Sequence, residues 1–334
     1  MIADIAHVSR TTVRRVMRNE PYVKEEVRQR VQAVIDHYHY KPNSVGAALV
    51  SRKTSIKIGV ICFSATDALY EELRNGSLQA AQDYQEYGIE ILLRSVDDQG
   101  GAQSIVDAIH ELDSLGIRGL AITAFDVPEI QNALLSLRER IPIVTYNTEI
   151  SNIDELCFVG QDSIQSGRTA AALMSGMLPK QGDVAIVANS TSVSAVAKRI
   201  QGFRKKLSEN SELNVCKILE TGSGNTRSYE QIKTLFQENE AICGIYIASG
   251  FGSEGVCQAL EEGGRTNVRI VAHDLLPYTV KNLHAGKIDF SIDQELFRQG
   301  YLPVEILVKF ILLKEQPPAK RIDTKIDIKT SENV

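Results

Sequence analysis

The sequence predicts an α/β protein carrying a small all-helical head, and three observations lead there. Up to about residue 38, apolar side chains recur at helical spacing; from Ile56 onward, β-branched apolar runs alternate with amphipathic helical stretches. Ten such runs over the remaining chain fit two parallel sheets better than one. The length of 334 residues agrees with two or three domains at roughly 100–200 residues each.

In chain order, Ser9 is placed to cap a helix over Arg10–Arg18, whose Val13, Val16 and Met17 share one face and leave Arg10, Thr11, Arg14 and Arg15 outward. Asn19-Glu20-Pro21 breaks that helix. The next one, Lys24–Tyr38, has Val27, Val31, Val34 and Ile35 in register. Tyr40-Lys41-Pro42-Asn43 marks a stop, and Ser44–Val50 reads as a linker with helical potential before the basic Ser51-Arg52-Lys53-Thr54.

Strands follow at Lys57–Phe63, Ile89–Arg94, Gly119–Thr123, Ile141–Tyr146, Cys157–Val159, Asp183–Ala188, Asn214–Glu220, Gly244–Ile247, Arg269–Ala272 and Phe290–Asp293. Helices fall at Glu71–Tyr87, Gly101–Leu115, Glu129–Glu139, Ser163–Met177, Ala195–Ser208, Arg227–Gln237, Gly252–Gly263, Pro277–Ala285 and Gln299–Lys314.

Charge is divided along the chain. Residues 1–54 hold ten Lys/Arg and five Asp/Glu, a net of +5, while the other 280 carry a net of −10. A basic head on an acidic body suits a protein that meets phosphate at one end only. The five cysteines, at 62, 157, 216, 243 and 257, have no metal-ligand spacing and are expected to be reduced and mostly buried. No metal and no cofactor is expected. Absence of a long apolar run, with Asp4, Arg10, Arg14 and Arg15 near the start, leads to the expectation of a cytoplasmic protein with no membrane partner. Enzyme signatures are missing: there is no G-x-G-x-x-G after the first strand, no Walker loop and no G-x-S-x-G elbow, so no catalytic residue is expected.

Ile5-Ala6-His7-Val8-Ser9-Arg10-Thr11-Thr12-Val13-Arg14-Arg15-Val16 with Asn19 resembles the helix-turn-helix of the lactose-repressor (LacI/GalR) family. Val23–Val34 is similar to that family's third helix, and Tyr40-Lys41-Pro42-Asn43 with Leu49 to its hinge. In the body, Phe158-Val159-Gly160-Gln161-Asp162, Arg199-Ile200-Gln201-Gly202-Phe203, Ala272-His273-Asp274 and Ile292-Asp293-Gln294 follow in the order expected of the family's effector domain. The resemblance implies a helix-turn-helix head at 1–42 with its first helix clipped, a hinge at 43–55, and a type I periplasmic-binding-protein-like domain at 56–334. The two lobes of that domain are expected at about 56–147 plus 275–295 and 148–274 plus 296–334.

The same resemblance implies a homodimeric transcription regulator that binds operator DNA under control of a small-molecule effector, a sugar or polyol. Arg10, Thr11 and Arg15 would read base edges. Ser9, Thr12, Arg14, Arg18 and Asn43 complete the DNA-binding set, and Leu49 would wedge into the minor groove. The cleft set carried over is Asp67, Leu69, Tyr70, Tyr146, Asn147, Arg199, Asp274 and Gln294: an aromatic ring to stack a sugar face, with amides, a carboxylate and an arginine for hydroxyls. Ala248-Ser249-Gly250-Phe251 stands where relatives often carry Asn or Asp. Two other readings of the fold remain open: a regulator that ignores small ligands and senses a protein partner, and a solute-binding protein. Asp162 is expected to cap the helix beginning at Ser163.

Overall fold

The computed structural model describes residues 5–6, 8–17, 23–37, 55–63, 68–96, 100–210, 212–222 and 224–334. Among the described residues the head holds the helices α1 (Arg10–Met17) and α2 (Glu25–His37). Ala6, Val13, Val16 and Val31 make its core, with Val8, Val23, Val27, Val34 and Ile35 against them. Ser9 caps α1, its hydroxyl accepting from the Thr12 N–H at 3.1 Å.

The body alternates β1 (Ile56–Phe63), α3 (Ala68–Tyr84), β2 (Ile89–Val96), α4 (Gly101–Ser114), β3 (Leu120–Ile122), α5 (Pro128–Arg138), β4 (Ile143–Tyr146) and β5 (Cys157–Gly160). It repeats the pattern with α6 (Ser163–Met177), β6 (Gln181–Ala188), α7 (Ser194–Asn210), β7 (Glu212–Glu220), α8 (Asn225–Glu238), β8 (Ile242–Ile247), α9 (Ser253–Glu262), β9 (Arg269–His273), α10 (Pro277–His284) and β10 (Phe290–Asp293). The helix α11 (Leu296–Leu313) and the short strands β11 (Arg321–Asp323) and β12 (Asp327–Lys329) close the chain.

Two six-stranded sheets result, in the orders β11-β5-β4-β3-β1-β2 and β12-β10-β9-β8-β6-β7. All pairings are parallel except β10 with β12. The two orders are the same doubly wound pattern, 2-1-3-4-5, so each lobe has a switch point between its first and third strands. Side-chain alternation feeds both faces of each sheet: Ile58 and Val60 enter one core while Ile61 and Phe63 enter another. In the second sheet, Ala185 and Val187 face one core and Val184, Ile186 and Ala188 the other. This double burial is why the strands read as nearly continuous apolar runs.

The lobe boundaries differ from those expected. Residues 157–160 belong to the first sheet, 290–293 to the second, and α11 packs against α3 in the first lobe. Strand pairing decides this, with Val144 opposite Cys157 and Phe290 opposite Val271, and such long-range pairings leave no local sequence pattern. The chain therefore crosses between lobes three times, after β5, after β10 and between β11 and β12.

Each lobe also holds a helix pair in which two glycines exchange close approaches. A Cβ on Gly76 of α3 would lie 2.0 Å from the Phe297 carbonyl oxygen, and one on Gly300 of α11 would lie 1.9 Å from that of Leu73. In the second lobe the same exchange joins α6 and α7: Gly167 against the Arg199 carbonyl at 1.9 Å, and Gly202 against that of Ile164 at 2.1 Å.

Candidate functional site

The C-terminal ends of both sheets converge on one cleft with about 660 Å³ of space, part of it open to solvent, the place where doubly wound sheets receive ligands. Phe63 ends β1, Ala124, Phe125 and Asp126 follow β3, and Asn147 and Thr148 follow β4. From the second lobe come Asn189 after β6, Ser249, Gly250 and Phe251 after β8, Asp274 after β9 and Gln294 after β10. Leu69 and Tyr70 open α3, and Ser194, Val196 and Arg199 lie on the first turns of α7.

One wall is aromatic. The Phe63 ring lies 5.3 Å from Tyr70 and 4.9 Å from Phe125, both tilted, an arrangement suited to covering an apolar face of a ligand. The opposite side is polar. Asp274 is 1% exposed; its Oδ1 accepts from Gln294 Nε2 at 2.6 Å while Oδ2 has no hydrogen-bond partner. Burial pushes the Asp274 carboxyl above the ordinary carboxylate range, against the opposing pull of Arg199 and Gln294. Arg199 donates through Nη1 to the Ala248 carbonyl at 3.3 Å, and its buried Nε is unpartnered. Asn189 Oδ1 is likewise buried without a partner. Buried polar atoms cost free energy when left unmade, so their gathering around one cavity points to a hydrogen-bonding ligand.

Behind this surface lies a buried aromatic support. The Tyr246 hydroxyl meets His273 Nε2 at 2.8 Å, and its ring stacks on Phe203 at 4.3 Å. Burial holds the His273 ring well below its ordinary pKa, so it is neutral at physiological pH. At the edge of the cleft, Glu149 joins Lys198 of the second lobe to Arg321 of the first, the latter at 2.6 Å. Burial raises the Glu149 carboxyl, but the two cations outweigh it and hold it below the usual range.

Of the expected cleft residues, Leu69, Tyr70, Asn147, Arg199, Asp274 and Gln294 line the cavity. Asp67 lies outside the described residues. Tyr146 does not line the cavity: its side chain is fully buried in the first-lobe core and its hydroxyl donates to the Ile61 carbonyl at 2.9 Å. The strand alternation that aims Tyr146 into the core leaves Phe63, Tyr70 and Phe125 as the aromatic wall. Arg199 and Asp274 both belong to the second lobe, so this pair makes no bridge between lobes. Asp162 caps α6 as expected, accepting from the Gln165 N–H at 2.9 Å.

In the head, Arg10, Thr11, Thr12, Arg14 and Arg15 all fall on α1, and Arg15 is exposed. The Ser9 hydroxyl lies 2.9 Å from that of Thr12, so these two first shape the helix start. Arg18, Asn43 and Leu49 lie outside the described residues. Among the described residues no group of three His, Cys, Asp or Glu side chains could hold a metal ion, and no helix is long and apolar enough to cross a membrane.

Residues 58–315 match the family described as periplasmic binding protein domain, and residues 2–43 match bacterial regulatory proteins, lacI family. The chain belongs to the periplasmic binding protein domain family and carries a lacI-family domain at its head. It is 26% identical to catabolite control protein A of Priestia megaterium over 325 residues, covering 93% of this chain and 91% of that protein. It is 25% identical over 252 residues to the xylose/arabinose-binding protein XylF of Sulfolobus acidocaldarius, a match that covers 69% of this chain and 61% of that protein, less than two thirds of its length. Among solved structures, an ABC transporter solute-binding protein from Burkholderia graminis C4D1M in complex with D-arabinose superposes with a TM-score of 0.77 at 25% identity, over 83% of this chain and 96% of that one.

The cavity residues that sequence reasoning missed include Phe63, Phe125, Asp126 and Asn189, while Ser249, Gly250 and Phe251 line it in the loop where relatives often carry Asn or Asp. The signal was present: each ends a strand or lies within four residues of its C-terminal end, in a fold whose ligands bind there.

Proposed function

We propose that this chain is a cytoplasmic, homodimeric transcription regulator with no enzymatic role, whose operator affinity is set by a sugar or polyol held between the lobes. The observation that carries the reading is one chain with a lacI-type head and a cleft in which Arg199 Nε, Asp274 Oδ2 and Asn189 Oδ1 are buried without partners. Such groups match hydroxyls, which donate and accept, and the Phe63, Tyr70 and Phe125 wall matches the C–H face of a sugar ring. The sugar-binding names among the relatives support the same class.

Arg10, Thr11 and Arg15 are the proposed base readers, with Ser9, Thr12, Arg14, Arg18 and Asn43 supporting the DNA contact and Leu49 as the minor-groove wedge. Twofold pairing of two such heads matches a near-palindromic operator. The effector acts by binding the open and closed lobe arrangements with different affinity, since only that difference shifts the equilibrium.

The test is a thermal-shift panel of pentoses, hexoses and myo-inositol on the full-length protein, run beside Arg199→Met. A ligand at a hundred times its Kd stabilises the native state by about 2.7 kcal/mol, a shift of roughly 5 °C or more. One responding sugar, silent in Arg199→Met, and a change in operator retention on gels would be the expected result. A folded protein that responds to none of the panel refutes the sugar assignment.

A further inference from the structure

Asn147 and Asp274 occupy equivalent places, just past β4 of one lobe and β9 of the other, and both adopt left-handed backbone, with φ of 63° and 66°. Both line the cavity. A chain of buried amides joins them behind it, through Gln299 on the first turn of α11, a residue with no exposure.

Gln299 Oε1 accepts from Asn147 Nδ2 at 3.0 Å. Its Nε2 donates toward the Gln294 carbonyl oxygen at 2.7 Å, Gln294 Oε1 at 3.3 Å and Thr324 Oγ1 at 3.1 Å. Gln294 in turn donates from Nε2 to Asp274 Oδ1 at 2.6 Å. The run therefore passes through two of the three crossings between lobes.

Its direction is set by the Gln294 backbone carbonyl. The Gln294 backbone carbonyl can only accept, so Gln299 must point its NH2 there and its oxygen at Asn147. Asn147 then turns its NH2 inward and keeps its carbonyl oxygen for the cavity. Gln294 Oε1 in turn accepts from Gln299 Nε2, so Gln294 turns its NH2 toward Asp274 Oδ1, leaving Asp274 Oδ2 for the cavity.

We propose that Gln299 is a positioning residue that sets the hydrogen-bond polarity of both lobes, so that Asn147 and Asp274 each present an acceptor and the accepted ligand is one that donates to both at once. Hydroxyl-rich ligands satisfy this. A ligand whose edges carry only acceptors meets oxygen at both of these positions.

The test uses thermal unfolding of the full-length protein as wild type, Gln299→Glu, Asp274→Asn and the double variant. Gln299→Glu removes the donor, so Gln294 must turn its NH2 toward the new carboxylate and its oxygen toward Asp274, and the melting temperature should fall by about 5 °C or more. Asp274→Asn supplies an NH2 for that oxygen. The double variant should therefore recover part of the loss, by more than about 1 °C beyond whatever Asp274→Asn does alone, although residues 274 and 299 share no hydrogen bond in the relay. Additive shifts, within about 1 °C, would overturn the proposal, because a side chain that only fills space gives no rescue across the relay.

If Gln299→Glu does not fold, Asn147→Asp is compared in the wild-type and Gln299→Met backgrounds. Its carboxylate faces the Gln299 oxygen in the first and no oxygen in the second, so its penalty should vanish with Met. An equal penalty in both backgrounds would overturn the proposal as well.

Discussion

Replacing Gly167 by alanine tests how the second lobe holds Arg199. The added Cβ would sit 1.9 Å from the Arg199 carbonyl oxygen, against 3.4 Å for ordinary contact, so α7 must move away from α6 by about 1.5 Å. Overpacking of this kind costs about 1–3 kcal/mol, and at roughly 2–4 °C per kcal/mol the melting temperature should fall by about 3–10 °C. The displaced backbone is that of the residue whose Nε lies at the cavity, so any effector response should weaken by tenfold or more, as a misplacement near 1 Å suffices for large losses. Gly176 on the same helix is the control, since its Cβ would meet nothing within 4 Å. Gly176→Ala should stabilise by about 0.5–1 kcal/mol through helix propensity alone. Differential scanning fluorimetry of the two variants reads both effects, and equal melting temperatures for Gly167→Ala and Gly176→Ala would refute the close-approach argument.

Three further outcomes follow from the site. Because burial raises the folded-state pKa of Asp274, its favourable contribution is complete below the unfolded carboxylate value and is lost as pH rises through the folded one; the melting-temperature advantage of Asp274→Asn over wild type should grow from pH 4 to pH 7, and a constant difference would contradict it. Tyr146→Phe loses the bond to the Ile61 carbonyl, which keeps the Thr123 N–H at 3.2 Å, so stability should drop by about 1 kcal/mol with effector affinity unchanged; a tenfold loss in a titration would return Tyr146 to the cleft. Arg15→Ala should reduce operator binding far more than binding to random duplex, and equal losses on gels would make Arg15 a phosphate contact.

Much of this was legible because the periods differ. Helical spacing in 10–37 and doubly buried strands from Ile56 onward both follow from side-chain geometry that the residue pattern carries directly. The short strands β11 and β12 escaped, being three residues each and only partly buried, with no apolar run to mark them. Sorting strands into lobes also escaped, because the position of 157–160 depends on pairing with β4 and not on its own residues. At the cleft, polar residues matched through motifs fell in place, whereas of the aromatic wall only Tyr70 did. Tyr146 and Phe63 both end strands, and only the facing of each last residue decides which ring meets the cavity. Gln299 stood in the sequence as a helix residue near a motif; its importance comes from Asn147 and Gln294, far apart in the chain and brought together by the crossings.

The three crossings between lobes have a consequence for how the protein can break. A single protease cut at 161–162, at 294–295 or at 324–326 would leave two covalent connections, so the lobes would stay tethered and their effective concentration for one another would remain high. Damage at one crossing would then be felt first as slack in the swing of the lobes, and separation of the halves would need three cuts.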